Sequence, residues 1–140
     1  MPAKAFVSAS ATGPATLTAP ADTKIQFGTP LVDTASAWDD PNDQYIIPST
    51  GVYQISGYME ILSQPNGAVA EVLIVANDNP ALPLLLGTSI LNYSGLPINN
   101  VGNVAGLVSL TIGTTVQMYG RALSATQTLG AARLFIHRVE

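Results

Sequence analysis

Glycine and proline interrupt this sequence so often that no long helix fits between them. The 140 residues include 12 glycines and 10 prolines, spread along the whole chain. Between them lie short runs rich in Val, Ile, Leu, Thr and Tyr, which mostly favour strands over helices. Short strands separated by turn residues at such spacing are typical of an all-β sandwich or barrel. We therefore expect an all-β chain with essentially no helix.

Side-chain alternation predicts the individual strands. Residues 52–62 form the clearest one, with apolar side chains on one face and a half-polar opposite face. Residues 69–76 are apolar apart from Glu71, so we expect this strand to be covered on both faces. Gly113-Thr114 predicts a tight hairpin between strands at 104–112 and 115–123. Further strands are predicted at 4–9, 16–19, 24–27, 31–34, 45–47 and 133–139.

The length fits one domain, and no linker or internal repeat divides the chain. We therefore treat residues 1–140 as a single domain. Residues 1–18 are rich in Ala, Thr and Ser. This segment is either an N-terminal arm that reaches a neighbouring molecule or a first edge strand.

The low polarity of the chain indicates an oligomer. Charged residues make up only 10% of the sequence, hydrophobic residues 47%, and the mean hydropathy is +0.32. Soluble monomers rarely expose large apolar patches, and association between subunits would bury them. A membrane protein is the other explanation, but no apolar stretch approaches the roughly 20 residues of a spanning helix.

The charge distribution argues against nucleic acid and anionic membranes as partners. The formal net charge is −4 and the isoelectric point is about 4.6. Phosphate binding needs clustered cations, whereas the basic residues are scattered along the sequence: Lys4, Lys24, Arg121, Arg133 and Arg138.

Three stretches resemble the C1q/TNF-like jelly-roll family. The run Tyr45-Ile46-Ile47-Pro48-Ser49-Thr50-Gly51-Val52-Tyr53 is similar to the family's short strand ending in Pro and the Gly-Val-Tyr that opens a long strand. Leu110-Thr111-Ile112-Gly113-Thr114-Thr115-Val116 resembles its Leu-x-x-Gly-Asp-x-Val hairpin, with Thr114 in place of Asp. Arg133-Leu134-Phe135-Ile136 takes the place of the closing strand, without the usual Phe-Ser-Gly.

The resemblance implies a single-domain antiparallel jelly-roll sandwich that assembles as a homotrimer. In such domains apolar and aromatic side chains line the three-fold axis. This expectation agrees with the low polarity of the chain, which is an independent observation.

The acidic loop Trp38-Asp39-Asp40-Pro41-Asn42-Asp43 suggests two interpretations. Asp39, Asp40, Asn42 and Asp43 could bind Ca²⁺, which takes clustered oxygen ligands, and the resemblance also allows a calcium loop. Asp and Asn are equally ordinary turn formers, because their side chains bond nearby backbone. The spacing is not that of an EF-hand, so we favour turn chemistry, and no other cofactor is expected.

Aromatic side chains are the candidate interaction residues. Trp38 with Tyr45 could form a platform for a sugar or a protein partner, although such a pair more often anchors a loop at the edge of a sandwich. We name five candidates: Trp38, Tyr45, Tyr53, Tyr58 and Tyr119.

No catalytic signature is present. The chain has one histidine, His137, no cysteine and no Gly-x-Ser-x-Gly elbow, so neither a nucleophile nor a zinc site is marked. We expect a protein that is not an enzyme.

Three functions fit these expectations. The first is a trimeric phage capsid decoration (cement) protein on the virion surface, with the major capsid protein as partner. The second is the receptor-binding head at the tip of a phage tail fibre, with a host-surface receptor. The third is a cellular C1q-like recognition module. We favour decoration because no signal peptide, heptad repeat or collagen-like stalk is visible.

Overall fold

A computed structural model describes residues 4–89, 92 and 94–140. These residues form strands and one short 3₁₀ turn, Asp40–Asn42. The strands are β1 (Phe6–Leu17), β2 (Asp22–Lys24), β3 (Val32–Asp33), β4 (Trp38–Asp39), β5 (Gln44–Ile46), β6 (Gly51–Gln64), β7 (Ala70–Ala76), β8 (Leu85–Thr88), β9 (Ile98–Leu110), β10 (Thr115–Ala122) and β11 (Gln127–Arg138). Within this part of the chain, no helix is long and apolar enough to cross a membrane.

The strands pack as two antiparallel sheets, as expected for a jelly roll. The first sheet has the strand order β3-β1-β11-β6-β9. The second sheet has the order β4-β5-β10-β7-β8, and β2 pairs with the same edge of β10 that β5 uses. Strands β9 and β8 are therefore edge strands, one in each sheet.

The core lies between the two sheets and follows the predicted alternation. In β6, Tyr53, Ile55 and Met59 are fully buried, while Gln54, Ser56 and Tyr58 face outward. They meet side chains from the second sheet such as Ile74 and Met118. Gly57 faces the same core, where a Cβ atom would lie 3.0 Å from Cδ1 of Ile74. The close approach of the sheets at this point explains a glycine inside a long strand.

The N-terminal segment is a strand of the first sheet. β1 pairs with β11 from Phe6 to Leu17, and Val7 and Ser8 also pair with β3. The register shifts between Thr12 and Ala15, so a bulge accommodates Gly13-Pro14 within one strand. Residues 6–17 thus form a strand between β3 and β11. The two alternatives for residues 1–18, an arm that reaches a neighbouring molecule or a first edge strand, stay predictions, and residues 1–3 lie outside the described residues.

The long predicted strands occur close to their expected positions, whereas the shortest elements differ. β6, β7, β9, β10 and β11 match five predicted strands, and 4–9 and 16–19 are the two ends of β1. β4 and β8 were not predicted. They contain two and four residues, too few for an alternating pattern to show.

The corner between β5 and β6 joins the sheets beside the β9–β10 hairpin. The Ile47 N–H donates to the Thr114 carbonyl at 2.8 Å, and the Gly113 N–H donates back to the Ile47 carbonyl at 2.9 Å. The buried Tyr53 hydroxyl donates to the Ser49 carbonyl at 2.7 Å. Gly113 has φ +86°, the left-handed conformation that favours glycine in a tight turn.

Candidate functional site

The acidic loop is tied to the chain by its own carboxylates. Asp43 accepts hydrogen bonds from the backbone N–H groups of Phe27 and Gly28, at 2.8 and 3.1 Å. Asp40 accepts one from the Thr29 hydroxyl at 2.9 Å. These bonds fasten the 3₁₀ turn to the segment that follows β2, which is the behaviour of turn-forming acids.

Asp39 bonds within the loop instead. One carboxylate oxygen accepts the side-chain amides of Asn42 and Gln44, each at 2.8 Å. The bond from Asn42, and then that from Gln44, lowers the pKa of the Asp39 carboxyl. The described residues contain no group of three or more His, Cys, Asp or Glu side chains that could hold a metal ion. Calcium binding at Asp39, Asp40, Asn42 and Asp43 stays a prediction.

Trp38 and Tyr45 are cross-strand partners on β4 and β5. The Trp38 ring packs edge-on against Phe27, with centroids 5.9 Å apart, and its Nε1–H donates to Asp40 at 3.3 Å. Tyr45 is fully buried, and its hydroxyl has no hydrogen-bond partner in the described part of the chain. Burial, followed by the charge of Asp33, raises the pKa of the Tyr45 phenol. The pair therefore anchors the loop and leaves no two-ring platform.

The other three candidate tyrosines divide between the core and the two outer faces. Tyr53 is fully buried like Tyr45. Burial places these two side chains in the core, away from the surface that a role in partner binding requires. Tyr58 is half-buried on the outer face of the first sheet, and Tyr119 is half-buried on the outer face of the second sheet.

The outer face of the first sheet carries a row of small side chains around one aromatic ring. Strand pairing aligns Val32, Ser8, Phe135, Ser56 and Ala105 across all five strands. Phe135 is 36% exposed although it sits at the middle of the sheet. Because its neighbours are small, the ring projects from a flat surface.

Two flanking rows complete this surface, which we call the open face. They are Phe6, His137, Gln54 and Leu107 on one side, and Ser10, Arg133, Tyr58 and Asn103 on the other. The His137 and Phe6 rings pack edge-on at 6.1 Å. In these three rows, all within the described residues, Arg133 is the one side chain with a fixed charge.

The open face continues onto an apolar edge. Leu107 on β9 is 66% exposed, and Val101 on the same strand and Leu86 on β8 are also exposed. We call Val101 and Leu86 the β8–β9 edge, which adjoins Leu107 of the open face. Sequence alternation placed Tyr58 on the outer face of β6, but it did not identify Phe135 or Leu107. Their exposure depends on which residues lie opposite them.

Comparison with solved structures identifies the architecture. The globular domain of zebrafish complement 1qA protein is similar, with a TM-score of 0.70 and 12% sequence identity over 98% of each chain. The chain has the C1q/TNF-like jelly-roll fold. Murine APRIL is also similar, with a TM-score of 0.67 and 13% identity over 96% of this chain and 99% of its own length. No protein-family model and no curated protein matches the sequence.

Proposed function

We propose that this C1q/TNF-like jelly roll is a non-enzymatic binding module that self-associates as a homotrimer through its open face. The observation that carries this proposal is the row centred on Phe135. A central, partly exposed aromatic ring among small uncharged residues resembles the core of a protein interface. Charged groups are depleted at such cores because they would have to lose their hydration.

The position of the second apolar surface favours a cyclic assembly over a two-fold dimer. A two-fold axis makes one patch meet itself, whereas a ring uses two different patches of the same chain. The open face and the β8–β9 edge provide two such patches, the second marked by Val101 on β9 and Leu86 on β8. The edge of one subunit would then cover the open face of the next.

Sedimentation of the purified chain tests self-association. A trimer has three times the 14.5 kDa mass of the chain. Phe135→Glu should give monomers, because a carboxylate would be buried without a partner in each contact. Leu123→Glu is the matched control, since Leu123 is 44% exposed outside the open face and the edge. A monomeric wild-type chain, or a trimeric Phe135→Glu variant, contradicts the proposal.

Three settings for such a module are proposed. One is capsid decoration, in which trimers bind the major capsid protein on the virion surface and stabilise the shell by binding only its assembled form. The others are a host-receptor-binding head at a tail fibre tip and a cellular recognition module. The zebrafish and murine neighbours do not select among them, because at 12–13% identity they share only the fold.

Copy number in purified particles from the source distinguishes the settings. Quantitative mass spectrometry would compare the chain with the major capsid protein. Similar copy numbers support decoration, and a few copies per particle support a fibre head. Absence of the chain from particles excludes both virion settings and leaves cellular recognition.

A further inference from the structure

Two of the chain's five basic residues line one cavity at the end of the sandwich. The cavity has a volume of about 350 Å³. Lys4 and Arg138 border it together with Thr34, Ser49 and Pro48, and we call it the basic cavity. Its size falls within the range of pockets that hold small molecules, roughly 300–1,000 Å³.

Strand pairing brings these two cations together. The Arg138 N–H donates to the Ala5 carbonyl at 2.8 Å, next to the Phe6–His137 pair of β1 and β11. Lys4 Nζ donates to the Val139 carbonyl at 2.6 Å. Both cations therefore border the same cavity.

Neither cation has a carboxylate partner among the described residues. The ion pairs there involve Lys24 and Arg121 instead. Asp33, beside the cavity-lining Thr34, directs its carboxylate to the backbone N–H groups of Ala35 and Trp38. The chain has nine acidic residues for five basic ones, so the missing counter-charge does not follow from composition.

The fold holds Arg138 in place but leaves one of its side-chain nitrogens without a hydrogen bond in the described residues. Leu134 and Ile136 face the core, and the alternation of β11 continues to Arg138. One terminal nitrogen of Arg138 donates to the Thr50 carbonyl at 3.1 Å. Its Nε is buried without a partner in the described residues, which leaves a charged group incompletely satisfied. Because the buried Nε is closed to a ligand, an anion in the cavity would stabilise the Arg138 guanidinium through its charge.

The other walls of the cavity indicate the kind of anion. Thr34 and Ser49 bring hydroxyl groups, and Ala5, Ala35 and Pro48 bring small apolar surfaces. A guanidinium and an ammonium group together fit a carboxylate, and the remaining walls fit a short carbon chain. The net charge of −4 disfavours large polyanions. We infer that the basic cavity binds a small organic carboxylate.

Titration of the isotope-labelled full chain with sodium acetate and sodium lactate tests this inference. At constant ionic strength, we expect saturable NMR shifts at the Arg138 Nε–H and at the backbone amides of Lys4, Thr34 and Ser49. Arg138→Gln and Lys4→Gln should each weaken binding about tenfold or more, because each removes a charge-assisted contact. Lys4 is exposed, so Lys4→Gln remains informative if Arg138→Gln fails to fold.

Lys24→Gln is the matched control, because it removes one positive charge that lies on the second sheet and pairs with Asp78. It should bind both acids as the wild type does. Shifts that rise linearly without saturation, or equally in the control and in the two cavity variants, would overturn the site. Tighter binding of sodium phosphate than of lactate would overturn the assignment to carboxylates.

Discussion

The outer face of the second sheet is covered by the chain itself, whereas the outer face of the first sheet is left open. Leu73 and Val75 point away from the core on β7, yet both are fully buried. The connection between β7 and β8, residues 77–84, crosses this face. It is fastened there by a bond from the Asp78 N–H to Gln117 at 3.0 Å.

Charge distinguishes the two faces as well. On the second sheet Lys24 pairs with Asp78, and Arg121 pairs with both Asp22 and Glu71. On the first sheet Phe135 stands among serines and alanine. Ion pairs and the covering loop bury much of this face, although Leu86 stays exposed at its edge. The contrast locates the expected contact between subunits on the open face.

The largest expected effect concerns the apolar residues of the two faces. Leu73→Ala should lower the free energy of unfolding by about 2–4 kcal/mol, because it leaves a cavity beneath the covering loop. Leu107→Ala should change it by less than about 0.5 kcal/mol, because Leu107 is 66% exposed. Urea unfolding of both variants in a Phe135→Glu background removes the contribution of association. An equal loss of unfolding free energy in the two variants would contradict the proposed difference between the two faces.

A buried amide network should give the next largest effect. Gln64 donates to the Ser89 hydroxyl at 3.1 Å and to the Gln127 side-chain oxygen at 3.0 Å, and all three residues are buried. Gln127 in turn donates to the Val69 carbonyl, so the network links the two sheets. Gln64→Leu should lower the free energy of unfolding by about 1–3 kcal/mol, because the buried Ser89 and Gln127 side chains lose their hydrogen bonds to Gln64.

Urea unfolding in the same monomeric background measures this cost. Gln54→Leu is the matched control, since Gln54 is exposed on the open face. It should leave the monomer nearly unchanged. A Gln64→Leu variant as stable as this control would show that the network does not hold the sheets together.

The sequence predicted the β-sandwich, but it did not predict which of the two outer faces is covered by a loop and ion pairs. The alternation in 52–62 and the apolar run 69–76 were sufficient for β6 and β7, because burial imposes these patterns directly. The coverage of the 69–76 strand on both faces was also expected, although the loop that provides it was not identified. The separate strands predicted at 4–9 and 16–19 are the two ends of β1, which continues through a bulge at Gly13-Pro14.

The contacts of the sites depend on residues far apart in the chain. Asp43 lies 15 and 16 residues from the N–H groups it accepts, which local turn preferences do not reveal. Lys4 and Arg138 appeared scattered in the sequence, yet they line one cavity. The composition gives the number of charged residues, whereas the strand order determines which of them lie close together.

Alkaline titration should produce a smaller effect on the second sheet. Burial, and then its hydrogen bond to Asp78, raises the pKa of Tyr119 to about 12. Since the folded pKa lies above the unfolded value of about 10, this contribution to stability is complete below pH ~10 and is lost as pH rises through ~12. The difference in phenolate absorbance between wild type and Tyr119→Phe measures the pKa. Ionisation of Tyr119 near pH ~10 would contradict the prediction.

The smallest expected effect is a difference in how salt changes the ion pair on the second sheet and the association through the open face. The Lys24–Asp78 pair has side chains 28% and 47% exposed. Lys24→Gln should therefore lower the free energy of unfolding by at most about 1 kcal/mol at low salt. The loss should be smaller at high salt, because ions screen exposed pairs. Self-association through the open face should persist at high salt, since Arg133 is the one side chain of its three rows with a fixed charge. Unfolding and sedimentation of the same samples at two salt concentrations measure both. Dissociation of the trimer by salt would show that charged groups, rather than the Phe135 row, hold the subunits together.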